Sequence, residues 1–374
     1  MTAGSVLLPQ AAGAPVDIVG CGVFSAAGRG LAPIAEAFAF EPAEASALEP
    51  EAGWPPVAIR PLAGFDPAAL LGRKGLSRMT RTDQLASAAC IDALEDAGPG
   101  PAPERTGIVV GTAVGSAPAV LDFLRDTFEQ PSPYLVNPSH FPGTLMNSAA
   151  GKTAIRQQLT GINASVSGGA LAGMNALRYA HAMLVEGRAK RLVTGGVEEL
   201  SPLGAWAWHR GQTLAPGAAL AEGCAMFALD ASGGEGRVLG RLLACENGFS
   251  DPGNGLANVS ARLAECVRTA LTRSGLGAEQ VSVVVPGAGG RRGWGAVEER
   301  ALRQVFTGPQ IPRLRPHHVL GETYSAGTAM NLAALLAGWQ YPWDRSREDR
   351  VAVLTSVGFD GSVGCLVVAH PDSA

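Results

Sequence analysis

Few side chains in this sequence are spaced for covalent or acid–base chemistry. A serine nucleophile wants a tight turn with glycines two residues away on both sides, and no serine here has them. The six cysteines, Cys21, Cys90, Cys224, Cys245, Cys266 and Cys365, are widely separated and form no C-x-x-C pair, so they read as buried thiols of a reducing compartment. The six histidines, His140, His181, His209, His317, His318 and His370, make no H-E-x-x-H or comparable ligand set, and no metal is expected. Gly151-Lys152-Thr153 ends like a phosphate-binding loop, but the glycine required five positions earlier is Met146. Gly287-Ala288-Gly289 imitates a dinucleotide fingerprint, with Arg292 at the third glycine position and no acidic partner on a following strand. Turn chemistry explains it better, and no cofactor is expected.

The bulk numbers say what must position any site. The chain has 374 residues, 47% hydrophobic against 17% charged, with 49 glycines and 26 prolines, which suits a packed α/β protein with tight turns. Net charge is −4 with lysine and arginine scattered, so neither nucleic acid nor an anionic membrane surface is expected as a partner. The opening MTAGSVLLPQAAGAP lacks a basic region, and its short apolar stretch is broken by Pro9 and Gln10, so a cytoplasmic location is expected.

Short apolar runs alternate with amphipathic stretches. Strands are expected at 16–22, 106–111, 163–167, 191–196, 280–285, 350–355 and 363–369. Helices are expected at 31–38, 82–97, 117–129, 146–158, 171–187, 257–274, 296–306 and 326–339. Residues 40–66, rich in Pro, Ala and acidic side chains, read as an irregular surface excursion. Such alternation predicts a parallel or mixed sheet covered by helices, in two comparable halves. A tail at 1–15 precedes halves 16–231 and 232–374, with 232–245 as an edge strand joining them.

Five segments in order resemble the β-ketoacyl synthases of fatty acid and polyketide assembly, between Val16 and about Val368. VDIVGCGVFSAA (Val16–Ala27) resembles the opening strand and glycine turn, and TGIVVGTAVG (Thr106–Gly115) the central strand and loop. FPGTLMNSAAG (Phe141–Gly151) resembles the segment before the nucleophile strand, LVTGGVE (Leu192–Glu198) the AGG-x-E strand end, and VGFDG (Val357–Gly361) the glycine-rich loop near the C-terminus. The resemblance implies a thiolase fold, two similar βαβαβ-type halves in a layered αβαβα arrangement. It also implies a condensing cysteine in a T-A-C-x-S-G stretch at the start of a helix whose amides lower the thiol pKa. The matching stretch is SVSGGALAG (Ser165–Gly173), and the cysteine position holds Ala170.

The family's two histidines are missing as well. Pro286 stands near the first, beside Gly287, and Glu322 replaces the second in GETYSAGT (Gly321–Thr328). A carboxylate there would repel the enolate formed on decarboxylation. No catalytic residue is therefore expected. The pattern resembles the chain-length factor of type II polyketide systems, which pairs with an active ketosynthase and helps shape the tunnel limiting chain extension. Many aromatic-polyketide factors have glutamine where this chain has Ala170, so an aryl-polyene or other reducing type II system is equally open.

This resemblance implies a heterodimer with an active ketosynthase homologue, an acyl carrier protein as second partner, and an interface strand at Asn163, Ala164, Ser165, Val166 and Ser167. It implies a tunnel lined by Leu121, Phe123, Leu124, Phe128 and Phe359, although a Phe/Leu face on an amphipathic helix is also how an ordinary core helix reads. Phe359 matches a gating position but has no acyl-cysteine to gate, so packing is its expected role, and Glu322 is expected to be a paired acid. An acyltransferase, hydrolase or cyclase using Ser165, Ser167, Tyr324 or His317 is the alternative, with no nucleophile visibly paired to a base.

Overall fold

The computed structural model describes residues 14–40, 53–62, 64–233, 236–308, 311–343 and 350–373. Most of the expected tail and residues 41–52 and 63 of the expected excursion lie outside the described residues. The strands are β1 (Val16–Ser25), β2 (Gly28–Arg29), β3 (Ile59–Arg60), β4 (Thr106–Gly111), β5 (Asn163–Val166), β6 (Arg191–Glu198), β7 (Leu220–Ala221), β8 (Gly223–Ala231), β9 (Gly240–Phe249), β10 (Val283–Pro286), β11 (Val351–Val357) and β12 (Ser362–Ala369).

Apart from the small β3–β7 pair, they form one sheet in the order β10-β11-β12-β9-β1-β8-β6-β4-β5, with β2 returning on β1. Its centre is β1 against β9, antiparallel over Val16–Ile18. Outward from β1 run β8 and β6, each antiparallel to the strand before it, and then β4 in parallel. Outward from β9 run β12 and β11, antiparallel, and then β10 in parallel. The two wings therefore share a pattern, two antiparallel neighbours followed by a parallel strand, with β5 added beyond β4 in one of them.

Period-two alternation on these strands builds the layers. On β11, Ala352 and Leu354 face one core cluster while Val351, Val353 and Val357 face another. On β8, Ala225, Phe227 and Leu229 join the first cluster, and Cys224 and Met226 a third. The shared cluster holds helices Ala172–Val185 and Gly327–Gln340, between the two wings. Thr328 to Ala337 are buried without a break, the pattern of a helix covered on every side. Helices Arg81–Ala97 and Ser148–Gln157 cover one outer face, and Leu256–Arg273 and Trp294–Val305 the other. The result is the αβαβα arrangement.

Close approach dictates sequence on β1, where a Cβ on Gly22 would come within 2.0 Å of Ala89 O and one on Gly20 within 2.3 Å of Ala93 O. Only glycine lets helix Arg81–Ala97 lie directly on this strand. That helix starts one residue earlier than the expected span of 82–97: Thr80 is its cap, in a reciprocal capping box with Asp83.

The expected edge strand at 232–245 needs correction. The strand there begins at Gly240 and lies inside the sheet between β12 and β1, so it is covered on both sides. The edge strands are β5 and β10. β8 and helix Pro202–Gly211 were not anticipated, because Gly223–Ala231 (GCAMFALDA) is apolar on both faces and WAWHRG carries no apolar stripe.

Candidate functional site

β5 runs into a single 3-10 turn, Gly169–Leu171, and then into helix Ala172–Val185. This strand-to-helix corner is where the family resemblance sets a condensing cysteine. Here the corner residue is Ala170, 1% exposed, whose carbonyl accepts from Ser356 Oγ at 3.3 Å. A methyl group at this point offers neither electron pair nor proton.

Pro286 ends β10 opposite Thr355, next to that Ser356. The backbone amides after it, Gly287 N and Ala288 N, donate to Glu298 at 3.0 and 2.8 Å, and Thr355 Oγ1 donates to the same carboxylate at 2.6 Å. Burial pushes the Glu298 carboxyl up, and these three donors together with Arg291 act against that shift. The glycine turn at 287–289 is thus committed to the protein's own acid, as the turn reading anticipated. Lys152 of the phosphate-loop mimic is likewise structural: its Nζ donates to Asp83 Oδ2 at 2.7 Å and to Arg78 O at 2.5 Å.

Next along the same loop is Arg291, which the sequence reading passed over. Its guanidinium and the Glu322 carboxylate are 1% and 2% exposed, joined by Nη2–Oε1 at 3.3 Å. Arg291 Nη1 donates to Val357 O at 2.6 Å, and Nε has no partner. Glu322 Oε1 also accepts from Tyr324 N at 2.8 Å. Glu322 is therefore a paired acid, and its cation comes from the same chain. Glu322 stands where the family resemblance sets the second histidine, so a charged pair takes the place of a neutral donor there. Gly290 has no room for a side chain because a Cβ there would lie 2.6 Å from Glu322 Oε2.

An aromatic group covers this pair. Tyr324 sits at φ 42°, a left-handed conformation that an aromatic residue adopts only under constraint. Its ring stacks on Phe359 at 6.1 Å between centroids and meets Trp208 edge-on at 5.5 Å. Phe359 also packs on Trp208 and Trp294, so its role is packing.

Ala170, Pro286 and Glu322 are thus gathered at one place: Ala170 on Ser356, Pro286 on the adjacent Thr355, and Glu322 through Tyr324 against Gly169, where a Cβ would be 2.8 Å from the phenol oxygen. The residues of the alternative reading are not joined. Ser167 Oγ donates to Ala113 O, Ser165 Oγ is buried without a partner, and His317 Nδ1 is buried without one. Burial, with help from His318, Arg315 and Arg291, pushes the His317 imidazole down to about 4. Beside the site, burial pushes the Glu198 carboxyl at the end of β6 up to about 7, against the hydrogen bond from Ser325.

Helix Ala117–Glu129 is not a core helix. It has no buried residue, with Leu121 39%, Leu124 49% and Phe128 86% exposed, while Phe123 is half-buried against Phe141, ring centroids 5.8 Å apart. The core reading of this apolar face is overturned. Tyr134, Leu135, Leu145, Met146 and Ile155 add further exposed apolar area on the neighbouring segments. Asn163 and Ser167 are exposed, and Ala164, Ser165 and Val166 are partly so. Among the described residues no group of three or more His, Cys, Asp or Glu is placed to hold a metal, and no helix is long and apolar enough to cross a membrane.

The profile of the β-ketoacyl synthase N-terminal domain matches residues 55–241. Among curated proteins, the chain is 32% identical over 145 residues to 3-oxoacyl-(acyl-carrier-protein) synthase 2 of Vibrio cholerae, covering 38% of this chain and 35% of that protein. It is 27% identical over 215 residues to the actinorhodin polyketide putative beta-ketoacyl synthase 2 of Streptomyces coelicolor, covering 50% of each. The matches thus span about a third to a half of these relatives' lengths. Among solved structures, the ishigamide ketosynthase/chain length factor superposes with TM-score 0.81 at 31% identity, covering 96% of this chain and 99% of that one. A Burkholderia phymatum beta-ketoacyl synthase, at 18% identity and TM-score 0.80, shares the fold.

Proposed function

The chain belongs to the β-ketoacyl synthase family, and from that premise we propose that it is a non-condensing, chain-length-factor-like subunit. It pairs with an active ketosynthase homologue and shapes the acyl tunnel in a type II polyketide or aryl-polyene type pathway, with an acyl carrier protein delivering substrate. The observation that carries this reading is Ala170 at the nucleophile corner, with Arg291–Glu322 buried where proton donors would be needed. A condensing enzyme requires a thiolate to hold the acyl group and neutral donors to stabilise the developing enolate. None of the three positions supplies either. We take 16–231 and 232–374 as the duplicated halves, a division that the shared strand pattern of the two wings favours.

The proposed interface is the free edge of β5 together with the apolar face of helix Ala117–Glu129. An open strand edge is a template for pairing with another chain, and the exposed leucines and Phe128 beside it favour coverage by a partner. A homologue presenting the same edge would pair β5 with its counterpart across a pseudo-twofold axis. On this reading Leu121, Phe123, Leu124 and Phe128 meet the partner and narrow the shared tunnel there.

Co-expression with a cysteine-bearing homologue tests the proposal. The expected result is a one-to-one complex whose product lengths change with Phe123→Ala or Phe128→Ala, and whose acyl adduct, by intact mass, sits on the partner. Failure to co-purify with any such homologue, or an adduct on this chain, would reject it.

A further inference from the structure

We infer that this chain fills its own acyl site: the Tyr324 side chain is seated over the Gly169–Ala170 corner, and the buried Arg291–Glu322 pair latches it there. The backbone conformation of Tyr324 and the contacts around its ring carry the inference. The phenol oxygen lies 2.8 Å from where a Cβ on Gly169 would be, so it rests against the residue just before the nucleophile position. The Tyr324 backbone is held at φ 42°, which persists only where surrounding contacts over-determine it. Glu322 Oε1 binds the Tyr324 amide at 2.8 Å and so fixes that turn. Arg291 lies 5.9 Å from the ring centroid of Tyr324, binds Glu322 and donates to Val357 O, which ties down the strand end leading into the Gly358–Gly361 loop. Phe359 and Trp208 then pack on the ring from two further sides.

The pocket is therefore closed by side chains of this chain, and an acyl group could reach Ala170 only by displacing the phenol. Substrate passing through a complex would run along the shared face and end on the partner. This rests on reading position 170 as the emptied nucleophile position, but it needs no partner, so it can be tested on the isolated chain.

A cysteine at position 170 reports whether the corner is open. The six native cysteines are all buried and unpaired, so background labelling is low, and the unsubstituted protein measures it. Iodoacetamide uptake followed by intact mass is expected to be slow for Ala170→Cys, close to that background. It should rise at least tenfold in Ala170→Cys/Tyr324→Gly, because glycine accepts the left-handed backbone and only the ring is removed. Ala170→Cys/Tyr324→Phe keeps the ring and should stay slow, which separates occupancy by the ring from any effect of the hydroxyl. Circular dichroism melts of each variant establish that the labelling refers to folded protein. Labelling of Ala170→Cys as fast as that of the glycine double variant would overturn the inference, and so would a folded double variant with no acceleration.

Discussion

Replacing Glu322 with glutamine keeps the shape of the side chain and an acceptor for the Tyr324 amide, while removing the charge that balances Arg291. The guanidinium is 1% exposed and, among the described residues, is bonded to no other carboxylate, so the substitution leaves a buried cation without its ion-pair partner. Breaking a buried pair in this way costs about 3–5 kcal/mol, and the retained amide puts the expected loss near the lower figure, about 3 kcal/mol. Unfolding entropy of about 2.1 cal/mol/K per residue over 374 residues comes to about 0.8 kcal/mol/K. The melting temperature should therefore fall by about 4 °C. Arg291→Met adds the complementary case, and the double variant Arg291→Met/Glu322→Gln has no stranded charge. It still gives up the hydrogen bond to Val357 O, worth about 1 kcal/mol. The cycle should consequently be non-additive, the double variant losing at least about 2 kcal/mol less than the sum of the singles. Urea unfolding followed by circular dichroism measures all four proteins. Additivity within about 0.5 kcal/mol would refute the claim that these two charges hold each other.

Three further outcomes follow from the same geometry. Folded Glu198, with its carboxyl at about 7 rather than 4.5, holds a proton that the unfolded chain releases, so this group makes stability fall as pH rises between those values. Folded His317, at about 4 rather than 6.5, gives up a proton that the unfolded chain keeps, so its contribution rises with pH and is lost as pH drops through that window. In urea midpoints between pH 5 and 6.5, Glu198→Gln should therefore steepen the rise with pH relative to the parent, His317→Phe should tilt the profile downward, and unchanged slopes would contradict the assigned burial. Leu124→Asp/Phe128→Asp should abolish co-purification with a ketosynthase partner while leaving the stability of the isolated chain within about 0.5 kcal/mol, since both side chains are exposed; a complex of undiminished yield in size-exclusion chromatography would move the interface elsewhere. Gly22→Ala should lower the urea midpoint strongly, because its methyl would meet the Ala89 carbonyl, and a neutral result would contradict the close packing of β1 on helix Arg81–Ala97.

Most of the framework was legible because its periodicities are local. The helices at 82–97, 117–129 and 257–274 carry a one-sided apolar stripe, and the strands at 106–111 and 350–355 are short apolar runs closed by turn residues. β8 was not legible because both of its faces are buried, which erases the alternation. The interior position of β9 depends on a partner strand more than a hundred residues away in sequence. At the site, Ala170 and Glu322 could be named by counting within a family motif, whereas Arg291 could not. It pairs with Glu322 across 31 residues, in a glycine loop whose spacing drew notice only for a motif it fails to complete. Trp208 and Trp294 met the same limit, since side-chain convergence from separate elements leaves no local pattern. The face of helix Ala117–Glu129 shows the opposite ambiguity: an amphipathic stripe announces that something will cover it, without saying whether that is the same chain.

With Ala170 at the nucleophile corner, no acyl chain is expected to be bonded to or extended on this subunit. Incubating the purified chain alone with radiolabelled malonyl carrier protein and an acyl primer tests it most directly. The expected result is no labelled carbon–carbon-coupled product and no mass increment on the chain, with coupling appearing only when a cysteine-bearing homologue is added. Coupled product from the chain by itself would contradict it.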